Sequence, residues 1–153
     1  MGFFSSLKKL NSADGTREAM RRSYAKHSRE LSKHRLPSGT SLHDAALYGA
    51  LASRYKVSGS DPNELEPFIW AELVPIRWLP ESIAPDVLAE YVVWKEEETR
   101  DEARKEWLAE QLRAGVRAAS EIHPDMVQQA YAMGPEGQYS SPWTDLVPRP
   151  PTP

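Results

Sequence analysis

The sequence predicts an all-α fold: a small helical bundle with an N-terminal helical hairpin, one long charged helix and an extended Pro-rich C-terminal tail. Three observations predict it. β-branched residues are sparse, and no stretch alternates apolar and polar residues for long enough to make a strand. Packing residues recur at helical spacing instead, as in Met20, Tyr24, His27, Leu31 and His34. Proline and glycine punctuate the chain at Pro37-Ser38-Gly39, Pro75, Pro80 and Gly134-Pro135, so the periodic stretches have ends. A length of 153 residues suffices for one domain with an ordinary core. Residues 1–133 read as that domain, with 1–14 as a flexible or amphipathic arm, and 134–153 read as the tail.

The arm carries Phe3, Phe4, Leu7 and Leu10 beside Lys8 and Lys9. Its opening formally fits an acylation pattern at Gly2, which the bulky Phe3 disfavours, and it has no long apolar run of the kind a secretory signal needs. Asp14-Gly15-Thr16 offers a start for a helix over 17–35. One face of it holds the packing stripe, and Arg22, Lys26, Arg29 and Lys33 fall nearly opposite. A short turn leads to a second helix at 41–56. Ser41 and Asp44 there have capping-box spacing, and the body, LHDAALYGALASRY, is apolar on most sides, which marks it as the core helix.

Asp61 before Pro62 predicts a further start, followed by a short helix over about 67–74 that Pro75 ends. Residues 75–84 then form a connector over an aromatic cluster of Phe68, Trp70 and Trp78. Pro85 opens the long helix, to Ala119. Unbroken, it is roughly 50 Å long, against an expected diameter of roughly 40 Å for the whole domain. One stripe of it runs Val87, Tyr91, Trp94, then Glu98, Asp101, Lys105, then Leu108, Leu112, Val116, Ala119. The face is apolar, then charged, then apolar. Ten of the twelve residues between Trp94 and Trp107 are charged, and pairs such as Glu96–Arg100 and Asp101–Lys105 would hold them helical. This predicts a spar whose tips pack on separate bodies. A surface helix with Thr99, Ala103 and Trp107 turned inward, or a break near 96–100, would remove the spar. A last helix, 124–133, stops at Gly134-Pro135, and the tail that follows favours an extended polyproline-like conformation.

The formal net charge of −3 conceals a split: residues 1–57 hold eleven Lys/Arg and four Asp/Glu, and residues 58–153 hold eight and eighteen. Such halves either attract one another in the fold or serve partner surfaces. No cysteine is present, which excludes disulfides, thiolate metal sites and cysteine nucleophiles. His27 and His34 stand about 10 Å apart on one helix, too far to share a metal ion. Ser41, His43 and Asp44 have the letters of a triad, but neighbouring positions on one turn point apart. No glycine-rich phosphate loop occurs.

The expectation is a non-enzymatic adaptor or structural component of a larger protein assembly, homo- or hetero-oligomeric and cytoplasmic, with no cofactor, metal or small-molecule substrate. Its protein-binding residues would be Trp94, Trp107, Leu108 and Leu112 on the long helix, with Trp143, Leu146 and Val147 in the tail. The alternative is a binder of acidic surfaces, nucleic acid or anionic membrane, through Arg22, Lys26, Arg29 and Lys33 and the N-terminal arm.

Overall fold

In a computed structural model of the chain, residues 12–36, 39–56, 67–97, 99–132 and 143–147 are described, with only the backbone for 67–71 and 143. Among these residues there are seven helices and no strand. The arm at 1–11, the Asp61-Pro62 start and the Phe68 and Trp70 side chains of the expected aromatic cluster lie outside the description.

The first helix, α1, spans Ala13–Ser32. It starts earlier than the Asp14–Thr16 signal suggested, because the Ser12 hydroxyl accepts the Gly15 N–H at 3.1 Å and so caps it. Thr16, Met20 and Tyr24 are buried on its inner face. The second helix, α2, spans Leu42–Tyr55 and is capped by Ser41, whose hydroxyl accepts the Asp44 N–H at 3.0 Å. Seven of its residues between Ala45 and Ala52 are buried, as its apolar circumference predicted.

The third helix, α3, covers Pro67–Arg77 and contains Pro75, so it does not end at that proline as expected. A proline removes one N–H from the ladder. Leu73, Val74 and Ile76 are nevertheless buried around it, and packing carries the helix through. Gly115 of a later helix lies against the Pro75 carbonyl, where a Cβ would collide with the backbone.

The predicted long helix is two helices, α4 at Ala84–Lys95 and α5 at Glu102–Ile122. Glu97 takes a left-handed backbone, φ 60°. Asp101 then restarts the chain, its carboxylate accepting the N–H groups of Ala103 at 3.0 Å and Arg104 at 3.3 Å. With the helix broken there is no single stripe, and the Glu98 part of it lies outside the described residues. Val87 and Tyr91 are buried at one end, Leu108, Leu112, Val116 and Ala119 at the other, and Asp101 is exposed between them. Both ends sink into one core, so the spar joining separate bodies is not formed. Thr99 is buried and Trp107 half-buried, whereas Ala103 is exposed.

The last helices are α6, Pro124–Ala132, and a single turn, α7, Trp143–Leu146. Val147 is buried after that turn and Leu146 packs on the core, so this piece of the tail lies on the body. α1 packs on α2 and α4; α3 packs on α2, α4, α5 and α6; α4 and α5 also meet, and α7 rests on α5. α1 and α4 run antiparallel, because Arg17 pairs with Glu90 at 2.6 Å and Arg21 with Asp86 at 2.7 Å. No helix among the described residues is long and apolar enough to cross a membrane.

Candidate functional site

The basic face of α1 is the best-exposed candidate. Arg22, Lys26, Arg29 and Lys33 all face solvent. They are spaced by three or four residues and therefore share one side of the helix over about 16 Å. Arg22 pairs with Glu18 at 3.1 Å, while Lys26, Arg29 and Lys33 have no carboxylate in ion-pair range among the described residues. These three remain uncompensated among the described residues, and the acidic half meets the basic half elsewhere, at Arg17, Arg21 and Arg54. Tyr24, the aromatic of this helix, is buried on the opposite side, so the face offers charge without a stacking platform.

The apolar candidates are placed differently. Leu108, Leu112 and Val147 are buried, and Trp94, Trp107 and Leu146 pack against the core. They hold the bundle together and are not gathered on a free surface. The Trp143 side chain lies outside the description.

A polar cluster that the sequence reading missed sits where the end of α2, the middle of α3 and the end of α4 converge. Glu72 is only 3% exposed and accepts a hydrogen bond from Lys95 Nζ at 2.5 Å. The same ammonium stands 4.7 Å from the Tyr55 ring centroid, a cation–π arrangement. Arg54 pairs with Glu96 beside it. Burial pushes the Tyr91 and Tyr55 hydroxyls well up from the ordinary phenol range, and the Glu72 charge adds to both. Burial also raises Glu72 itself, against the opposing pull of Lys95. The hydroxyls of Tyr55 and Tyr91, Glu72 Oε2 and Glu96 Oε2 are buried without a hydrogen-bond partner among the described residues. A signal for this cluster exists in the sequence: Glu72 is the single charge in the apolar run FIWAELVPI, as Glu90 is in VLAEYVV, and both prove buried.

A second polar node joins α1, α2 and the α3–α4 turn. Tyr24 Oη and His43 Nδ1 are 3.1 Å apart, and Asp44 pairs with Arg77 at 3.0 Å. Burial holds His43 below its ordinary value, more than Asp44 and Glu81 lift it. The Ser41 hydroxyl is engaged in capping, so the triad letters form no relay. His27 donates through Nδ1 to the Ser23 carbonyl at 2.7 Å and packs over Gly49, while His34 is exposed. No group of three or more potential metal ligands occurs among the described residues.

Comparison with protein-family models, with curated proteins and with solved structures finds no match.

Proposed function

We propose that this chain is a non-enzymatic interaction module that docks the phosphate backbone of a nucleic acid through the basic face of α1. The observation that carries this reading is the contrast between the two sets of candidate residues. Arg22, Lys26, Arg29 and Lys33 stand exposed and largely uncompensated, whereas Trp94, Trp107, Leu108, Leu112, Leu146 and Val147, suited to an adaptor, are absorbed by the core. Cations at helical spacing along one face suit a run of phosphates, which they would neutralise with release of counterions. Sequence preference is not part of the reading, since no aromatic accompanies the face. Lipid is the less favoured anionic surface: the large apolar residues exposed among the described ones are Leu42 and Ile122, neither of them on α1. Glu72 is spent on Lys95, which supports a structural role for the buried cluster over a catalytic one. The absence of cysteine accords with a cytoplasmic location, which belongs to the same proposal.

The test is titration of the full chain into a labelled duplex at 50 and 200 mM salt. Three or four phosphate contacts imply that affinity falls roughly 100-fold over that range. The pair Lys26→Glu and Arg29→Glu should abolish binding and leave the helical circular dichroism unchanged. Salt-independent binding, no binding, or capture by phosphatidylserine vesicles but not by the duplex would each overturn the reading.

A further inference from the structure

We infer that the turn between α4 and α5 is a domain-swapping hinge, and that the partner it serves is a second copy of this chain. Three unfavourable features gather in these few residues. Glu97 holds a left-handed backbone, φ 60°, that side chains other than glycine adopt reluctantly. Thr99 Oγ1 is buried with no hydrogen-bond partner among the described residues, and so is Glu96 Oε2. The local sequence prefers something else. From Lys95 to Glu102 there is no glycine and no proline, and Glu, Lys and Arg dominate, all good helix formers. A continuous helix would align Glu96 with Arg100 at the favourable i,i+4 spacing. In the turn, Glu96 is drawn to Arg54 instead, and Arg100 is exposed without an ion pair among the described residues.

The turn therefore exists because α5 packs back on the α3 of its own chain, not because its residues favour a turn. A second copy offers α5 the same surface. If α4 and α5 fuse into one helix over 84–122, about 58 Å long at 1.5 Å per residue, then α5, α6 and α7 reach the α3 of a partner. The partner returns its own α5 by two-fold symmetry, and the contacts of α5, α6 and α7 with the rest of the bundle are rebuilt between chains while the unfavourable turn is removed from both. Loss of the Asp101 cap is offset by the ladder hydrogen bonds that a continuous helix adds.

The experiment uses the full-length chain. It is refolded from denaturant at about 1 mM and at about 10 μM, then sized by gel filtration with light scattering. A dimer enriched at the higher concentration is expected. Glu97→Gly, which accepts a positive φ and weakens a helix, should reduce dimer affinity about 10-fold or more, because two hinges change per dimer. Exchange is read through Trp78 and His123, whose rings lie 5.0 Å apart across the α3–α5 boundary. The chain has no native cysteine. Chains carrying only Trp78→Cys and chains carrying only His123→Cys are therefore co-refolded and treated with a short bismaleimide. A cross-linked heterodimer supports the swap. A chain that stays monomeric at both concentrations, a dimer indifferent to Glu97→Gly, or a dimer with no such cross-link overturns it.

Discussion

Glu72 and Glu90 show how a single charge in an apolar helix is accommodated. Each is essentially buried, and each meets a cation from another helix: Lys95 at 2.5 Å and Arg17 at 2.6 Å. Taking such a pair out of water is unfavourable, and the attraction roughly offsets it, so the pair specifies alignment more than it stabilises. Removing one partner strands the other. Lys95→Met is expected to destabilise the fold by about 3 kcal/mol, and Glu72→Met together with Lys95→Met should restore it to within about 1 kcal/mol of the parent. Urea unfolding of the parent, single and double variants measures this coupling. Near-additivity would mean that Glu72 and Lys95 do not act as a pair.

At the scale of the element, the crossing of α3 and α5 joins two residues that each weaken a helix. Pro75 lies inside α3 and Gly115 inside α5, and they meet, with the glycine Cα against the proline carbonyl. Glycine in a helix interior loses about 1 kcal/mol relative to alanine, so by propensity alone Gly115→Ala should stabilise the protein. The expected outcome is the reverse, a loss of about 3 kcal/mol or more, because the added carbon meets backbone that can yield only by separating the helices. Gly49→Ala provides the contrast. Its added carbon meets the ring of His27, a side chain and not backbone, which can shift only by loosening its hydrogen bond to the Ser23 carbonyl, so the loss should be smaller, about 2 kcal/mol. Thermal unfolding of both variants separates the two cases. The break between α4 and α5 belongs to the same scale. Its residues favour helix and Asp101 caps a new start, but docking of both flanking apolar faces on one core decides the turn.

At the scale of the whole molecule, the charge split is answered in part from within. Arg17, Arg21 and Arg54 of the basic half pair with Glu90, Asp86 and Glu96 of the acidic half, and Asp44 pairs with Arg77 in the opposite sense. The basic face of α1 is what that pairing leaves over. The piece of the tail at 143–147 also joins the body, since Val147 is buried and Leu146 packs against the core. Ending the chain after Gly134 therefore removes stabilising surface as well as polar residues. Burial of one valine and part of one leucine implies a loss of about 2 kcal/mol. For a chain of this size, that is a fall in Tm of roughly 6 °C. An unchanged Tm would mean that the tail adds nothing to the fold.

The sequence alone determined the helical class, the core helix α2, its Ser41 cap and the basic face of α1. All of these follow from periodicity and capping chemistry that act within one or two turns of chain. Only the tertiary structure decided where Pro75 would be tolerated, where the charged stretch would break, and which cations would meet Glu72 and Glu90. Those outcomes depend on surfaces far apart in the chain: the carbonyl of Pro75 against Gly115, and Lys95 reaching back to Glu72. A local reading weighs helix propensity residue by residue and so continues α4 into α5. The burial of Leu108, Leu112 and Val116 in the core that also holds Val87 and Tyr91 outweighs it.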